Sequence, residues 1–212
     1  FGLTEPEAGS DAGATRTTAR LDGGEWVIDG AKQFITNSGT PITRFVTVTA
    51  VTGEPGSATR EISTIIVPSG TPGFTVGPAY DKVGWHASDT HPLVFTGARV
   101  PEGNLLGERG RGFANFLHIL DEGRIAIAAL STGAAEGCLE AAVEYASTRT
   151  VFAAPLSSRQ GIQFMLARMQ ARVHNARLAW LHAARLRDAG KPFKTAAAIA
   201  KITASDAAMD NA

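Results

Sequence analysis

Neither charge sign is in excess in this chain: Lys+Arg and Asp+Glu each number 20 in 212 residues, and the formal net charge is zero. A protein that grips nucleic acid through its phosphates usually carries a basic surplus, so no nucleic-acid partner is expected. Cysteine is nearly absent. Cys138 stands alone, which excludes an internal disulfide framework and fits a reducing compartment. Long hydrophobic runs are missing too: the longest, Ile125 to Leu130, is too short to cross a bilayer, and no secretory leader is visible. No membrane contact is expected. The five histidines (His86, His91, His118, His174, His182) lack metal-ligand spacing, and no catalytic triad is legible. The first residue is Phe1 rather than Met, inside a motif, and further native sequence is expected to precede it.

What is present divides into two grammars. From Thr15 to about Pro101, short runs rich in Thr, Val, Ile and aromatics read as strands: Thr15–Leu21, Glu25–Asp29, Lys32–Thr36, Arg44–Thr52, Glu61–Val67, Phe74–Val76 and Pro92–Phe95. Asp22-Gly23-Gly24 and Asp29-Gly30 are hairpin signals, because Asp and Gly accept positive backbone angles. Gly53–Thr59 reads as an exposed, mobile loop. After Gly107 the pattern turns helical. Phe113, Phe116, Leu117, Leu120, Ile127 and Leu130 recur at three- and four-residue steps, predicting one long helix to about Thr148. Gly133 and Gly137, with Ala134 and Ala141, form a small-residue face expected to let a neighbouring helix approach. A second helix is expected from Gln160 to Ala189 on a stripe of Ile162, Met165, Leu166, Met169, Val173, Ala176 and Trp180, stopped by Gly190 and Pro192. A third starts near Thr195 and meets no stop signal by Ala212, so an unfinished four-helix bundle is expected. The fold class is therefore α+β: a β-barrel or sandwich domain over 1–106, then an antiparallel helical bundle over 107–212.

Three groups of residues carry candidate chemistry. Leu3 to Ala12 combines Thr4, the φ-restricted Pro6, Gly9, Ser10 and Asp11. Its Gly9-Ser10-Asp11 end can present N–H groups and a hydroxyl to an anion such as a diphosphate, or simply cap surface turns. Asp121 and Arg124 lie among apolar helix positions. They form either an intrahelical pair or a polar patch for a substrate lying across the helix. Arg149 and Gln160 bracket the turn between two helices, with Phe152 inside it, and at their plainest are polar groups satisfying helix ends. The Gly107-x-x-Gly110-x-Gly112 cluster has neither the spacing nor the β-α alternation of a dinucleotide fingerprint and reads as a flexible lead-in to the long helix.

Taken together, six motifs in sequence order resemble the acyl-CoA dehydrogenase family. They are Leu3-Thr4-Glu5-Pro6-x-Ala8-Gly9-Ser10-Asp11, Gly30-x-Lys32-x-Phe34-Ile35-Thr36-Asn37, Lys82-Val83-Gly84-Trp85-x-x-Ser88-Asp89-Thr90 with Arg99-Val100-Pro101 through Gly107, Leu120-Asp121-x-x-Arg124, Arg149-x-x-Phe152, and Gln160-x-Ile162-Gln163-Phe164. The resemblance implies a flavoprotein whose β domain precedes a C-terminal four-helix bundle. It implies FAD as cofactor, an acyl-CoA substrate dehydrogenated between its α and β carbons, electron-transfer flavoprotein as acceptor, and assembly as a homodimer or homotetramer. It places Leu3, Thr4, Gly9, Ser10, Phe34, Ile35 and Thr36 at the flavin, Ser10 also near pantetheine, and Asp121 and Arg124 against CoA. It puts Arg149, Phe152 and Gln160 at the FAD of a neighbouring subunit. His86 stands where many relatives carry Arg, and Ala153 where Gly is usual. The catalytic Glu of the family usually comes from a helix beyond the third. Its minority position, just before the motif Arg, is Gly123 here, and Glu122 faces about 100° away around the helix, so no catalytic residue is assigned. Alternatives within the same resemblance are a flavin oxidase or monooxygenase, or a flavin- or CoA-binding scaffold without a base.

Overall fold

A computed structural model describes residues 1–54 and 60–212. The expected Gly53–Thr59 loop therefore falls largely outside the described residues. Contacts group the chain into two compact units, Phe1–Phe116 and Leu117–Ala212. The first unit includes the opening turn of the long helix. Phe116 packs its ring 5.1 Å from that of Phe1, and Gly112 lies so close to Ser63 that an added Cβ would sit 2.4 Å from its carbonyl carbon.

The first unit is built on β1 (Thr18–Asp22), β2 (Glu25–Thr36), β3 (Phe45–Val51), β4 (Ile62–Pro68), β5 (Phe74–Val76) and β6 (Thr90–Pro101). They form one six-stranded sheet in the order β4-β3-β1-β2-β6-β5. Neighbours are antiparallel except β1 and β3, which pair in parallel at Thr18 and Val51. Val48, Ile65 and Val67 from one end of this order share a buried cluster with Phe95, Val100 and the partly buried Phe74 from the other. Strands so far apart in a flat sheet cannot meet, so the sheet curls around a single core as the expected barrel would.

Asp22-Gly23-Gly24 makes its hairpin, with Gly23 and Gly24 both at positive φ. Asp29-Gly30 does not. There β2 continues through a register shift, with Gly30 at φ 148°. A Cβ on Gly30 would lie 2.5 Å from Thr17 Oγ1, while Asp29 accepts a hydrogen bond from Gly97 N at 2.7 Å. The dipeptide that reads as a turn is a bulge here, bending the strand where the neighbouring backbone comes closest.

The second unit contains most of α1 (Gly112–Thr148), the hairpin β7 (Thr150–Val151) and β8 (Ala154–Pro155), α2 (Gln160–Asp188) and α3 (Lys194–Asn211). Its core is alanine: Ala128, Ala135, Ala176, Ala183, Ala197, Ala200 and Ala204 are fully buried. Small side chains let helix axes approach closely. By contrast Met165, expected on the buried stripe of α2, is exposed, as are Leu117, Ile127 and Leu130, which set the period of α1, and Gly133 and Gly137 with open space around them. Helical period identifies a helix. It cannot say which apolar face is covered when alanine supplies the contact. By length and hydropathy α1 could also cross a bilayer, a property it shares with core helices of water-soluble bundles.

The end of α2 follows its stop signal. Gly190 sits at φ 65° and donates to Arg187 O at 2.9 Å, and Lys191 donates to Leu186 O at 2.9 Å, the paired bonds of a Schellman cap. Asn211 closes the bundle: its amide donates to Ala135 O on α1 at 3.1 Å and to Met169 O on α2 at 3.4 Å.

Gly30→Ala should destabilise the first unit by roughly 2–4 kcal/mol, from backbone strain and overpacking against Thr17. Urea denaturation followed by tryptophan fluorescence measures this, and a midpoint equal to wild type would contradict it.

Candidate functional site

The N-terminal segment is held as an extra strand. Gly2 donates to Thr47 O at 2.6 Å and accepts from Thr49 N at 3.1 Å, while Gln33 N donates to Thr4 O at 2.8 Å. Phe1–Glu5 therefore fills the slot between β3 and the far half of β2, the slot that β1 fills further along. The chain then reverses tightly, with Glu5 N to Ala8 O at 3.0 Å and Ala8 N to Glu5 O at 3.2 Å, and Pro6 and Glu7 at the corner.

Glu5 and Lys32 fix that arrangement. Both side chains are buried, with Lys32 fully so, and Lys32 Nζ lies 2.7 Å from Glu5 Oε1. Lys32 also donates to Leu3 O at 3.3 Å and Thr49 Oγ1 at 3.0 Å. The Glu5 carboxylate accepts from Arg16 N at 2.6 Å and Thr17 N at 3.1 Å. Every polar atom of the pair has a partner, the condition under which a buried ion pair is tolerated. Burial pulls the Lys32 ammonium down to about 8, with the Glu5 hydrogen bond and charge opposing it. For Glu5, burial works upward, but the Lys32 hydrogen bond, the Arg16 N–H and the Lys32 charge outweigh it and hold the carboxyl below its ordinary value. The residues between Glu5 and Arg16 thus form a loop closed at its neck by one carboxylate, with Gly9 and Ser10 exposed on it.

Beside Thr4 stands the end of β2. Phe34 is at φ 58°, at a register shift, and 60% exposed; its ring lies 4.9 Å from that of Tyr80. Thr36 is exposed, whereas Ile35 and Leu3 point into the protein, leaving only their backbones for a ligand. A turn follows in which Asn37 has φ 55° and its N–H donates to Asp89 O at 2.9 Å. Gly39 N donates to Asp89 Oδ2 at 2.8 Å, and Asp89 Oδ1 lies 2.6 Å from His91 Nε2.

In the second unit, Arg124 pairs with Asp121 on the same helix, and both remain partly exposed. Glu122 is turned elsewhere, to Arg187 on α2 at 3.0 Å. Arg149 accepts the Leu156 N–H at 2.7 Å, closing the β7–β8 hairpin whose two corner residues, Phe152 and Ala153, have φ 52° and 59°. Phe152 is 89% exposed. Gln160, exposed, begins α2. Among the described residues no cluster of three metal-binding side chains occurs.

Sequence reasoning missed three determinants. Arg159 donates to Val151 O at 2.9 Å and lies 5.7 Å from the Phe152 ring, bracing the hairpin. The Asp89–His91 contact and the Glu5–Lys32 pair were also unseen as pairs. A signal for Lys32 existed: with Trp26 and Ile28 it occupies the inward-facing alternate positions of β2, where a lysine demands a carboxylate.

Two family models match the chain: acyl-CoA dehydrogenase, middle domain, over residues 1–98, and acyl-CoA dehydrogenase, C-terminal domain, over 110–212. A curated relative, the probable acyl-CoA dehydrogenase YngJ of Bacillus subtilis (strain 168), is 49% identical over 208 residues, covering 98% of this chain and 54% of that protein. The butyryl-CoA dehydrogenase of Megasphaera elsdenii superposes with TM-score 0.94 at 43% identity, covering 100% of this chain and 55% of that one. A chain in a structure of the electron transferring flavoprotein of Acidaminococcus fermentans superposes with TM-score 0.94 at 44% identity, covering the same shares. The chain spans about half the length of these relatives.

Glu5→Gln should cost about 3–5 kcal/mol, because it leaves the Lys32 ammonium buried without its counter-charge. The folded pKa of Glu5 is lowered, so its contribution is complete above the ordinary value of 4.5 and is lost as pH falls through the folded value. Wild type should therefore lose more stability than the variant on acidification below pH 4.5. Parallel acid limbs in denaturant titrations would contradict this. Ala153→Gly should stabilise the second unit by about 1 kcal/mol, since Gly removes a left-handed alanine, and a lower denaturation midpoint would refute that.

Proposed function

This chain belongs to the acyl-CoA dehydrogenase family, and we propose that it binds FAD and an acyl-CoA in an enzyme that dehydrogenates the thioester between its α and β carbons. The observation that carries the reading is the pairing of Thr4 with Gln33, which brings the first motif beside Phe34 and Thr36. An exposed ring in a left-handed conformation, flanked by the partly exposed Thr4 and the exposed Thr36, offers an apolar contact with hydroxyls beside it. That donor set suits a planar heterocycle with polar edges. Backbone strain of this kind, roughly 1–3 kcal/mol, is concentrated at ligand contacts. Gly9 has nothing within 4 Å of where a Cβ would lie, so its backbone is open to a diphosphate, with the Ser10 hydroxyl beside it.

FAD, when bound, supplies the two-electron acceptor. The residues of this chain hold and orient: Thr4 and Thr36 at the ring system, Phe34 against its edge, Ser10 at the diphosphate or pantetheine. Asp121 and Arg124 present a charged pair to the CoA chain. Arg149 carries the fork geometry for a diphosphate, with Phe152 as an apolar surface and Gln160 as an amide donor and acceptor, toward the FAD of a second subunit in a dimer or tetramer. Glu122 is committed to Arg187 and Gly123 has no side chain, so the base that removes the α proton is not assigned within the described residues. Membership in the family and the likeness to a chain in a structure of an electron transferring flavoprotein support such a protein as electron acceptor, and mitochondrial and bacterial relatives alike fit the matrix or the cytoplasm. The likeness to a butyryl-CoA dehydrogenase supports a short acyl chain.

Arg149→Ala should weaken FAD binding about ten- to a hundredfold, the worth of one charge-assisted hydrogen bond, and loosen the oligomer in step. Flavin titration and sedimentation measure both, and equal affinity in an oligomer indifferent to flavin would leave Arg149 an ordinary helix-end charge. Thr36→Val should shift the flavin spectrum and cost roughly 0.5–1.5 kcal/mol of binding, while a spectrum and affinity identical to wild type would remove Thr36 from the site.

A further inference from the structure

Both ring nitrogens of His91 face acceptors. Nδ1 lies 2.7 Å from the Gly77 carbonyl oxygen, and Nε2 lies 2.6 Å from Asp89 Oδ1. A carbonyl oxygen can only accept, and an ionised carboxylate can only accept. A neutral imidazole has one N–H and leaves one of these contacts as two lone pairs in opposition. The other carboxylate oxygen of Asp89 accepts from Gly39 N at 2.8 Å, and Asp89 O accepts from Asn37 N at 2.9 Å. Gly39 presses on the same ring: a Cβ there would lie 2.2 Å from His91 Nε2. Ile35 and Thr36 pair with His91 and Thr90 across the β2–β6 ladder, so the turn held by Asp89 leads directly out of the segment that carries Phe34 and Thr36.

We infer that His91 is held as an imidazolium which, through Asp89, clamps the Asn37–Gly39 turn and so acts as a positioning group for Thr36 and Phe34. The proposal rests on the flavin reading only for its consequence, since the clamp itself is a property of the protein alone. The charged groups facing it are Asp89 and, near Asp89, Lys82, whose ammonium donates to Ser88 O at 2.5 Å and Thr90 Oγ1 at 3.0 Å. Their directions agree with the geometry. The Gly77 carbonyl and then Asp89 raise His91 above its ordinary value against the effect of burial. Partial burial pushes Asp89 upward, but the Gly39 N–H and His91 more than offset it, and its carboxyl is lowered. With the folded His91 value raised, the clamp is complete at pH below the ordinary 6.5 and releases as pH rises through the folded value. None of the six family-like motifs contains His91.

Nitrogen-15 NMR of the histidine rings, with backbone amide exchange, tests this on wild type and two variants without flavin. In wild type the His91 ring should carry two N–H groups at pH 6.5 and titrate above it. Asp89→Asn should lower that midpoint, since it removes the carboxylate that favours the charged ring. His91→Gln should speed exchange at Asn37 and Gly39 about tenfold or more at one pH, leaving the β3–β4 amides unchanged. A neutral ring at pH 6.5, or Asn37 and Gly39 amides indifferent to both variants, overturns the clamp. In flavin-loaded protein, the wild-type dissociation constant should rise as His91 titrates, while that of His91→Gln stays weaker and level across the same range. Parallel profiles overturn the positioning role. Wild-type protein that takes up no flavin overturns the functional reading instead, with the clamp still decided by the ring and amide data.

Discussion

A single buried ion pair decides where the first seventeen residues lie. Lys32 projects inward from β2, and its ammonium cannot remain there without a counter-charge. Glu5 supplies it, and the carboxylate uses its remaining capacity on the N–H groups of Arg16 and Thr17. Two segments far apart in the loop are thereby fastened to one point inside the sheet. Replacing such a pair by apolar side chains is often neutral for stability, so its physical role here is register. It sets Thr4 against Gln33 and the open Gly9-Ser10 backbone outside the loop's neck. Hydrophobic burial holds the barrel together, but it is indifferent to a shift along the slot, whereas the charge pair is not.

Backbone strain marks the same places. Phe34, Trp85 and Phe152 are exposed aromatic residues in the left-handed region, where side chains other than Gly, Asn and Asp rarely sit. Two of them are supported locally: Phe34 by Tyr80, and Phe152 by Arg159. An exposed aromatic ring gains little from folding, and a left-handed backbone costs stability, so neither feature serves the core. Two of the three belong to the residues that resemble flavin contacts. The helical unit shows the complementary arrangement, in which alanines bring three helices close and leave larger apolar side chains, such as Ile202 and Met209 on α3, facing outward.

Element type was legible from the sequence wherever local chemistry decides it. Strand composition, the Asp22-Gly23-Gly24 turn and the Gly190 cap all led to the structure observed, because each depends on backbone angles that a few residues dictate. Asp29-Gly30 misled, since the same dipeptide serves a turn or a bulge and only the approach of Thr17 selects between them. Buried faces of the helices misled for a different reason: Leu117 and Ile127 set the period, but Ala128 and Ala135 make the contact. The motifs that carried the resemblance named the right family, as the family match to both halves shows. Pairings across tens of residues, Glu5 with Lys32 and Asp89 with the Asn37–Gly39 turn, are set by three-dimensional register that no short window contains.

If the buried pair positions the proposed flavin contacts without touching the flavin, removal of its positive charge must weaken FAD binding. Lys32→Met removes the ammonium, keeps the apolar stem and leaves every proposed contact residue in the chain. Titration of that variant with FAD, at a temperature where its circular dichroism matches wild type, should show affinity weakened about tenfold or more. Affinity equal to wild type in a protein so folded would contradict the claim that Glu5 and Lys32 set the site.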